Sequence, residues 1–302
     1  MTRASTPPVF RFAPSPNGYL HLGHAYSAIL NYEMAQANGG RFLLRIEDID
    51  TLRCRPEFEQ AIYEDLAWLG LSWEEPVRRQ SEHFLDYAKA LNQLAEQKLL
   101  YSCFCARGDI LRVVGARQGW PRDPDEAPLY PGTCKSLTNE DCRERLAAGQ
   151  HPAQRLDMDE AIKRVRKPLS WQECGADGLK NDVSVQPELW GDAVLSRKDI
   201  LASYHIAVVV DDALAGVSTV VRGKDLFKAT GLHRVLQELL VLPVPAYYHH
   251  DLVLDEAGQK LSKSRSAKSI RVLRQEGLSP TDIYARLGLV KGCVFDKRSS
   301  AL

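Results

Sequence analysis

The stretch from residue 9 to residue 46 constrains the fold more than any other part of the chain. Val9-Phe10-Arg11-Phe12-Ala13 has the β-branched and aromatic bias of a short buried strand. Pro14-Ser15-Pro16-Asn17-Gly18 then breaks it, because proline removes a backbone donor and Asn-Gly favours a turn. A helix is expected over about residues 24–37, closed by Asn38-Gly39-Gly40, and RFLLRI at 41–46 reads as a second strand. Strand, helix and strand with short links make the βαβ unit of a parallel sheet, so the fold class is α/β.

Two amphipathic helices are expected next, over residues 56–69 and 81–98. Beyond Tyr101 the alternation lapses and Gly, Pro and Asp cluster at 115–134, as in an inserted subdomain. The apolar run YHIAVVV at 204–210 has the composition of a strand covered on both faces, with 217–221 as its neighbour. A helix over 226–240, an extended segment at 247–254 and short helices near 267–276 and 280–287 complete the pattern. The expected divisions are therefore 1–100 and 200–264 as two halves of one catalytic domain, 101–199 as an insertion, and 265–302 as a short helical C-terminal segment.

With 302 residues, 44% of them hydrophobic, the chain can bury a core without disulfides. Disordered, collagen-like and small disulfide-framework classes are excluded. No apolar run approaches the roughly 20 residues that span a bilayer, and the N-terminus lacks the apolar stretch of a signal peptide. A cytoplasmic, membrane-free protein is expected. Balanced charge, 39 basic against 39 acidic residues, exerts no global pull on nucleic acid but permits a local basic face. Seven cysteines, an odd number, point to thiols or metal ligands rather than bridges.

Two segments carry chemistry. His21-Leu22-Gly23-His24 lies between the first strand and its helix, where open α/β sheets bind ligands. Two histidines three apart can face a phosphate chain beside the helix N-terminus, and Gly23 lets a flat base approach the backbone. Lys260-Leu261-Ser262-Lys263-Ser264 offers two ammonium groups and two hydroxyls to a triphosphate. Each alone is as well explained by ordinary surface polarity. Together, in this order and with both halves of a sheet around them, they point to nucleotide chemistry.

HLGH and KLSKS resemble the HIGH and KMSKS motifs of class I aminoacyl-tRNA synthetases. Residues 11–16 (RFAPSP), 45–50 (RIEDID), 204–212 (YHIAVVVDD) and 220–223 (VVRG) are similar to the glutamyl branch. The resemblance covers roughly 9–290 and implies a Rossmann-type parallel sheet. Only 38 residues follow Ser264, too few for the large helical anticodon-binding domain of an ordinary glutamyl-tRNA synthetase. The pattern is closer to the glutamyl-queuosine tRNA(Asp) synthetases. It implies His21, His24 and Lys263 as catalytic groups, and Gly23, Lys260 and Ser262 beside them around ATP and Mg²⁺. Arg11, Ala13, Ser15, Glu47, Tyr204 and Arg222 are implied for L-glutamate, a zwitterion whose extra carboxylate calls for two positive groups and one negative.

Cys103, Cys105 and Cys134 fall within a loop-rich stretch, and a structural zinc wants four ligands. Cys142 and His151 are chemical candidates for the fourth, whereas the family pattern points to Tyr130. Cys54, Cys174 and Cys293 have no assigned role. The implied partners are ATP, glutamate and tRNA(Asp) carrying queuosine, with a monomer expected. A shortened enzyme charging the tRNA 3′ end, a small nucleotidyltransferase, and an idle paralogue that binds RNA or zinc remain as alternatives.

Overall fold

The structure is a computed structural model and describes residues 6–175, 178–254, 261 and 268–292. The opening βαβ unit forms as expected, with β1 (Val9–Phe12), α1 (Leu22–Ala37) and β2 (Arg41–Ile46). β1 and β2 pair in parallel from Val9 opposite Arg41 to Phe12 opposite Leu44. After α2 (Pro56–Trp68), β3 (Glu74–Arg79) adds to the far side of β2, also in parallel. α3 (Phe84–Glu96) then leads to β4 (Leu100–Cys103) and the region expected as an insertion.

That region is not one block. β4, β5 (Ala153–Leu156) and β8 (Val194–Ser196) make a separate antiparallel sheet, with α4 (Arg107–Gly115) and α5 (Asn139–Ala147) between β4 and β5. Following α6 (Met158–Val165), β6 (Ser170–Cys174) and β7 (Lys180–Ser184) instead return to the catalytic domain. β7 pairs antiparallel with β6, and β6 meets β10 (Ala246–His250) in parallel at Tyr247 opposite Glu173. The strand signals at 170–184 are short and broken by charged residues, which conceals them in the sequence.

The run at 204–210, expected as a strand, is instead the start of helix α7 (Tyr204–Leu214). A short apolar run cannot reveal its own period when every face is covered. Here Ile206 through Asp212 are all buried, with α3 and α8 (Ala229–Leu239) packed against the helix. The neighbour expected for it, now β9 (Thr219–Gly223), lies instead beside β10 in parallel register. β9 also meets β1, where Ser218 N–H donates to the Val9 carbonyl at 3.0 Å and Val9 N–H to Ser218 Oγ at 2.8 Å.

Strand order therefore runs β3-β2-β1 on one side of this junction and β9-β10-β6-β7 on the other. The chain winds away from β1 and β9 in opposite directions, which leaves a crevice at their carboxyl ends. One buried cluster lies under α1 and α2; it includes Ile270 and Leu273 of α9 (Ile270–Gln275) and Ile283 and Tyr284 of α10 (Pro280–Arg286). A second gathers α3, α7 and α8. Among the described residues, no helix is long and apolar enough to cross a membrane.

The α2–α9 contact contains a buried acid, Asp65. Burial pushes its carboxyl up to about 7, and Arg274 and Arg271 offset this only in part. The folded chain therefore holds a proton that the unfolded chain releases near the ordinary carboxylate value. Stability should fall as pH rises from about 4 to 7, and the penalty is complete above that window. Thermal melts of Asp65→Asn should show a higher Tm than the parent at pH 8 and a much smaller difference at pH 4.

Candidate active site

A cleft of about 440 Å³ opens at the carboxyl ends of β1 and β9. Arg11 and Ala13 reach it from the end of β1, Ser15 from the turn that follows, and Glu47 from just beyond β2. Tyr204 enters from the first turn of α7 and Arg222 from β9. His21, Gly23 and His24 line the same cavity at the start of α1. All nine residues expected around glutamate or at HLGH thus share one wall system. Leu261 also lines it, whereas Lys260, Ser262 and Lys263 lie outside the described residues.

The two histidines are built into the helix start. Gly23 N–H donates to His21 Nδ1 at 3.1 Å, and His21 N–H donates to His24 Nδ1 at 3.2 Å. Each satisfies a donor that a helix N-terminus otherwise leaves unpaired. Because both Nδ1 atoms accept, a neutral ring carries its proton on Nε2, where it can be donated to an anion. A β-carbon at position 23 would lie 3.0 Å from His21 Cε1. The glycine expected to admit a flat base therefore first makes room for the His21 cap.

Beneath the cleft lies a buried ionic frame. Asp212 Oδ1 accepts from Arg11 Nε at 3.0 Å and from Arg45 NH1 at 2.6 Å. Arg45 NH2 donates to Glu47 Oε1 at 2.9 Å. Neighbouring Asp211 accepts from Arg78 Nε and Gln80 Nε2, each at 2.7 Å, and from the Tyr87 hydroxyl. Burial alone would raise the Asp212 carboxyl, yet Arg11 and Arg45 outweigh it and hold it below the ordinary range. Glu47 goes the other way: burial raises it more than Arg45 lowers it. The sequence alone gives no role to Asp211 and Asp212. Their signal was an acidic pair closing an otherwise apolar run, and it acquires meaning only once that run is helical.

In the separate sheet region, the sulfurs of Cys103, Cys105 and Cys134 lie within 4.8 Å of one another. Cys105 and Cys134 sulfurs are 3.5 Å apart, and the Tyr130 hydroxyl is 3.4 Å from Cys105 Sγ. Zn–S bonds of about 2.3 Å in a tetrahedron separate sulfurs by about 3.8 Å, so this spacing is compatible with zinc. The Tyr130 hydroxyl also accepts from Cys134 N–H at 2.8 Å, which brings it to the cluster. Cys142 packs against the cluster, but among the described residues neither it nor His151 joins the group of close ligand atoms.

The family described as tRNA synthetases class I (E and Q), catalytic domain, matches residues 9–295. The chain belongs to that family. Its similarity is strong to the glutamyl-Q tRNA(Asp) synthetase of Rhodobacter capsulatus, 45% identical over 290 residues, covering 93% of this chain and 100% of the relative. The glutamate–tRNA ligase of Aquifex aeolicus is 38% identical over 282 residues, covering 93% of this chain and 56% of the ligase. A crystal structure of the glutamate–tRNA synthetase from Elizabethkingia anophelis superposes with TM-score 0.69 at 28% identity, over 86% of this chain and 53% of that one. The chain thus spans about half the length of these glutamate–tRNA enzymes. As a class I synthetase it is a ligase-type enzyme, and its parallel sheet and crevice are those of the class.

The ionic frame should matter to folding as well as to the cleft. Asp212→Asn leaves two buried arginines short of a charge, and such a break costs about 3–5 kcal/mol. Urea unfolding should show a loss of that size, whereas Asp251→Asn, at an exposed ion pair with Lys224, should leave stability nearly unchanged.

Proposed function

We propose that this synthetase activates L-glutamate with ATP, without requiring tRNA, and transfers the glutamyl group to the queuosine base in the anticodon loop of tRNA(Asp). The observation that carries the reading is the convergence of Arg11, Arg222 and Glu47 on one cleft beside His21 and His24. Two cations and one carboxylate complement an amino acid with two carboxylates and one ammonium. Among the described residues, Arg11 has its Nε committed to Asp212 and no protein partner for its terminal nitrogens, which suits a carboxylate fork. Glu47 accepts from the substrate ammonium, and Ala13, Ser15 and Tyr204 close the pocket around it.

In the first step an α-carboxylate oxygen of glutamate attacks the α-phosphorus of ATP. The bond to the bridging oxygen breaks and pyrophosphate leaves. His21 and His24 donate to phosphate oxygens as charge accumulates, with Gly23 beside them; Lys260, Ser262 and Lys263 act on the same phosphates. Mg²⁺ bound with ATP supplies further neutralisation of the phosphate oxygens. In the second step a hydroxyl of the queuosine cyclopentenediol attacks the acyl carbon, and AMP leaves. A second cleft of about 460 Å³ shares Tyr204 and Leu226 with the first and offers room for the accepting nucleoside. Identity of 45% over the full length of a glutamyl-Q tRNA(Asp) synthetase supports this acceptor over the tRNA 3′ end.

The exchange of pyrophosphate into ATP should depend on glutamate, proceed without RNA, and be absent with aspartate. Lys263→Ala should slow it by about 10²–10³. Exchange that appears only with tRNA, together with nuclease mapping of labelled glutamate to the 3′ adenosine, would replace this reading with that of a shortened tRNA-charging enzyme.

We further propose that Cys103, Cys105, Cys134 and Tyr130 hold one structural zinc. Arg155 stacks over the Tyr130 ring with its guanidinium carbon 3.8 Å from the ring centroid, a position that favours electron density on the phenol. Elemental analysis should find about one zinc per chain. Cys134→Ser should lose it and lower Tm, while Cys174→Ser should retain it.

A further inference from the structure

Arg222 is buried, and every one of its five N–H groups has a protein acceptor. Nε donates to His249 Nε2 at 3.1 Å. NH1 donates to the Tyr204 hydroxyl at 3.4 Å and to His233 Nδ1 at 3.3 Å. NH2 donates to the Leu226 carbonyl at 3.2 Å and to Thr230 Oγ1 at 2.7 Å. A carboxylate arriving at this guanidinium must therefore displace something, and the two long NH1 bonds are the weakest of the five.

The histidines around it have no choice of tautomer. A guanidinium only donates, so the imidazole nitrogens facing it must accept. His249 then carries its proton on Nδ1, which meets Glu173 Oε2 at 2.8 Å, while its own backbone N–H donates to Glu173 Oε1 at 2.9 Å. His233 carries its proton on Nε2 and donates it to His205 Nδ1 at 3.2 Å. Protonating either ring would turn an N–H toward the guanidinium. Burial and the charge of Arg222 both oppose this and lower the affinity of His233 and His249 for a proton, against a smaller opposing pull from Glu173 on His249. None of Glu173, His233 and His249 lines the cleft; they stand behind Arg222.

We infer that His233 and His249 are positioning residues that make the pocket select a carboxylate side chain over an amide. The inference rests on the reading of glutamate as substrate. His249, anchored by Glu173, pins the Nε edge of Arg222. His233 holds NH1 through one long bond, so that this donor is oriented toward the cleft and is the one a side-chain carboxylate takes over. Against glutamine the same arrangement sets amide N–H groups opposite a fixed array of donors, and neutral imidazoles that only accept from Arg222 cannot turn to relieve the clash.

The test is amino-acid-dependent ATP–pyrophosphate exchange with the full chain. In His233→Leu, the KM for glutamate should rise about 10–100-fold, the size of a lost hydrogen bond to a charged group, and the preference for glutamate over glutamine should fall with it. The KM for ATP should stay within about twofold, since the acceptor faces Arg222 and not the nucleotide end. His233→Asn places an oxygen where Nδ1 stood and should restore the KM to within about threefold, while His233→Gln, with its acceptor one methylene further out, should not. That pair also decides the matter if His233→Leu fails to fold. His249→Gln, which keeps an acceptor near the Nε2 position, should exceed His249→Leu in glutamate preference. Folded variants that keep the wild-type KM and preference, or that raise the KM for ATP as much as that for glutamate, would overturn the inference alone. A wild-type protein with no glutamate-dependent exchange, with or without tRNA, would overturn the substrate reading and this inference with it.

Discussion

The buried carboxylate of Asp212 is the interaction on which the cleft depends. It lies on α7 and binds an arginine from β1 and another from β2, so one side chain ties a helix to two parallel strands. A lone buried anion would be costly to desolvate, and so would either arginine. Together they are tolerable, and Glu47 extends the alternation of sign to the cleft wall. The strand ends are thus held at a fixed distance from the first turn of α7, where Tyr204 stands. This spacing sets one wall of the cavity, which residues outside the helices and strands, Pro14, Asn17 and Leu252 among them, complete.

Around that frame, polar order extends outward in layers. Asp211 organises Arg78, Gln80 and Tyr87 on one side. Arg222, on the other, is held by His233 and by His249, which Glu173 orients from β6. The strand that carries Glu173 belongs to the segment that interrupts the catalytic domain in sequence, and it rejoins the main sheet beside β10. Glu173 and His249, 76 positions apart, therefore meet behind one arginine because the chain leaves the sheet and comes back.

Much of this was legible in the sequence. The βαβ opening, its turn chemistry and the paired HLGH and KLSKS segments gave the class and the place of the cleft. The nine cleft residues carried over from the family resemblance all reach the same cavity. Two things were hidden for physical reasons. A covered helix rich in valine has the composition of a strand, so the sequence points to a strand where α7 lies and conceals the meaning of Asp211 and Asp212. The strands β6 and β7 are brief and polar, so their membership of the main sheet depends on long-range pairing that no local pattern announces. The histidines behind Arg222 were invisible for the same reason, since His233 and His249 come from a helix and a strand that meet only in the folded chain.

The start of α1 has its own consequence for how this enzyme can vary. His21 and His24 hold the first turn together through their Nδ1 atoms, and Ile270 N–H bonds the Leu20 carbonyl next door at 2.7 Å. The first residue of α9 is thereby tied to the residue that precedes HLGH. Replacing either histidine by alanine removes a proton donor and an acceptor of the helix start in a single change. Asparagine, whose Oδ1 takes the place of Nδ1, keeps the acceptor that caps the helix and lacks the outer nitrogen, so it separates the two effects. The chemistry of this pair and the architecture that holds it share the same two rings, so a change that spares the helix start must keep an acceptor at the Nδ1 position.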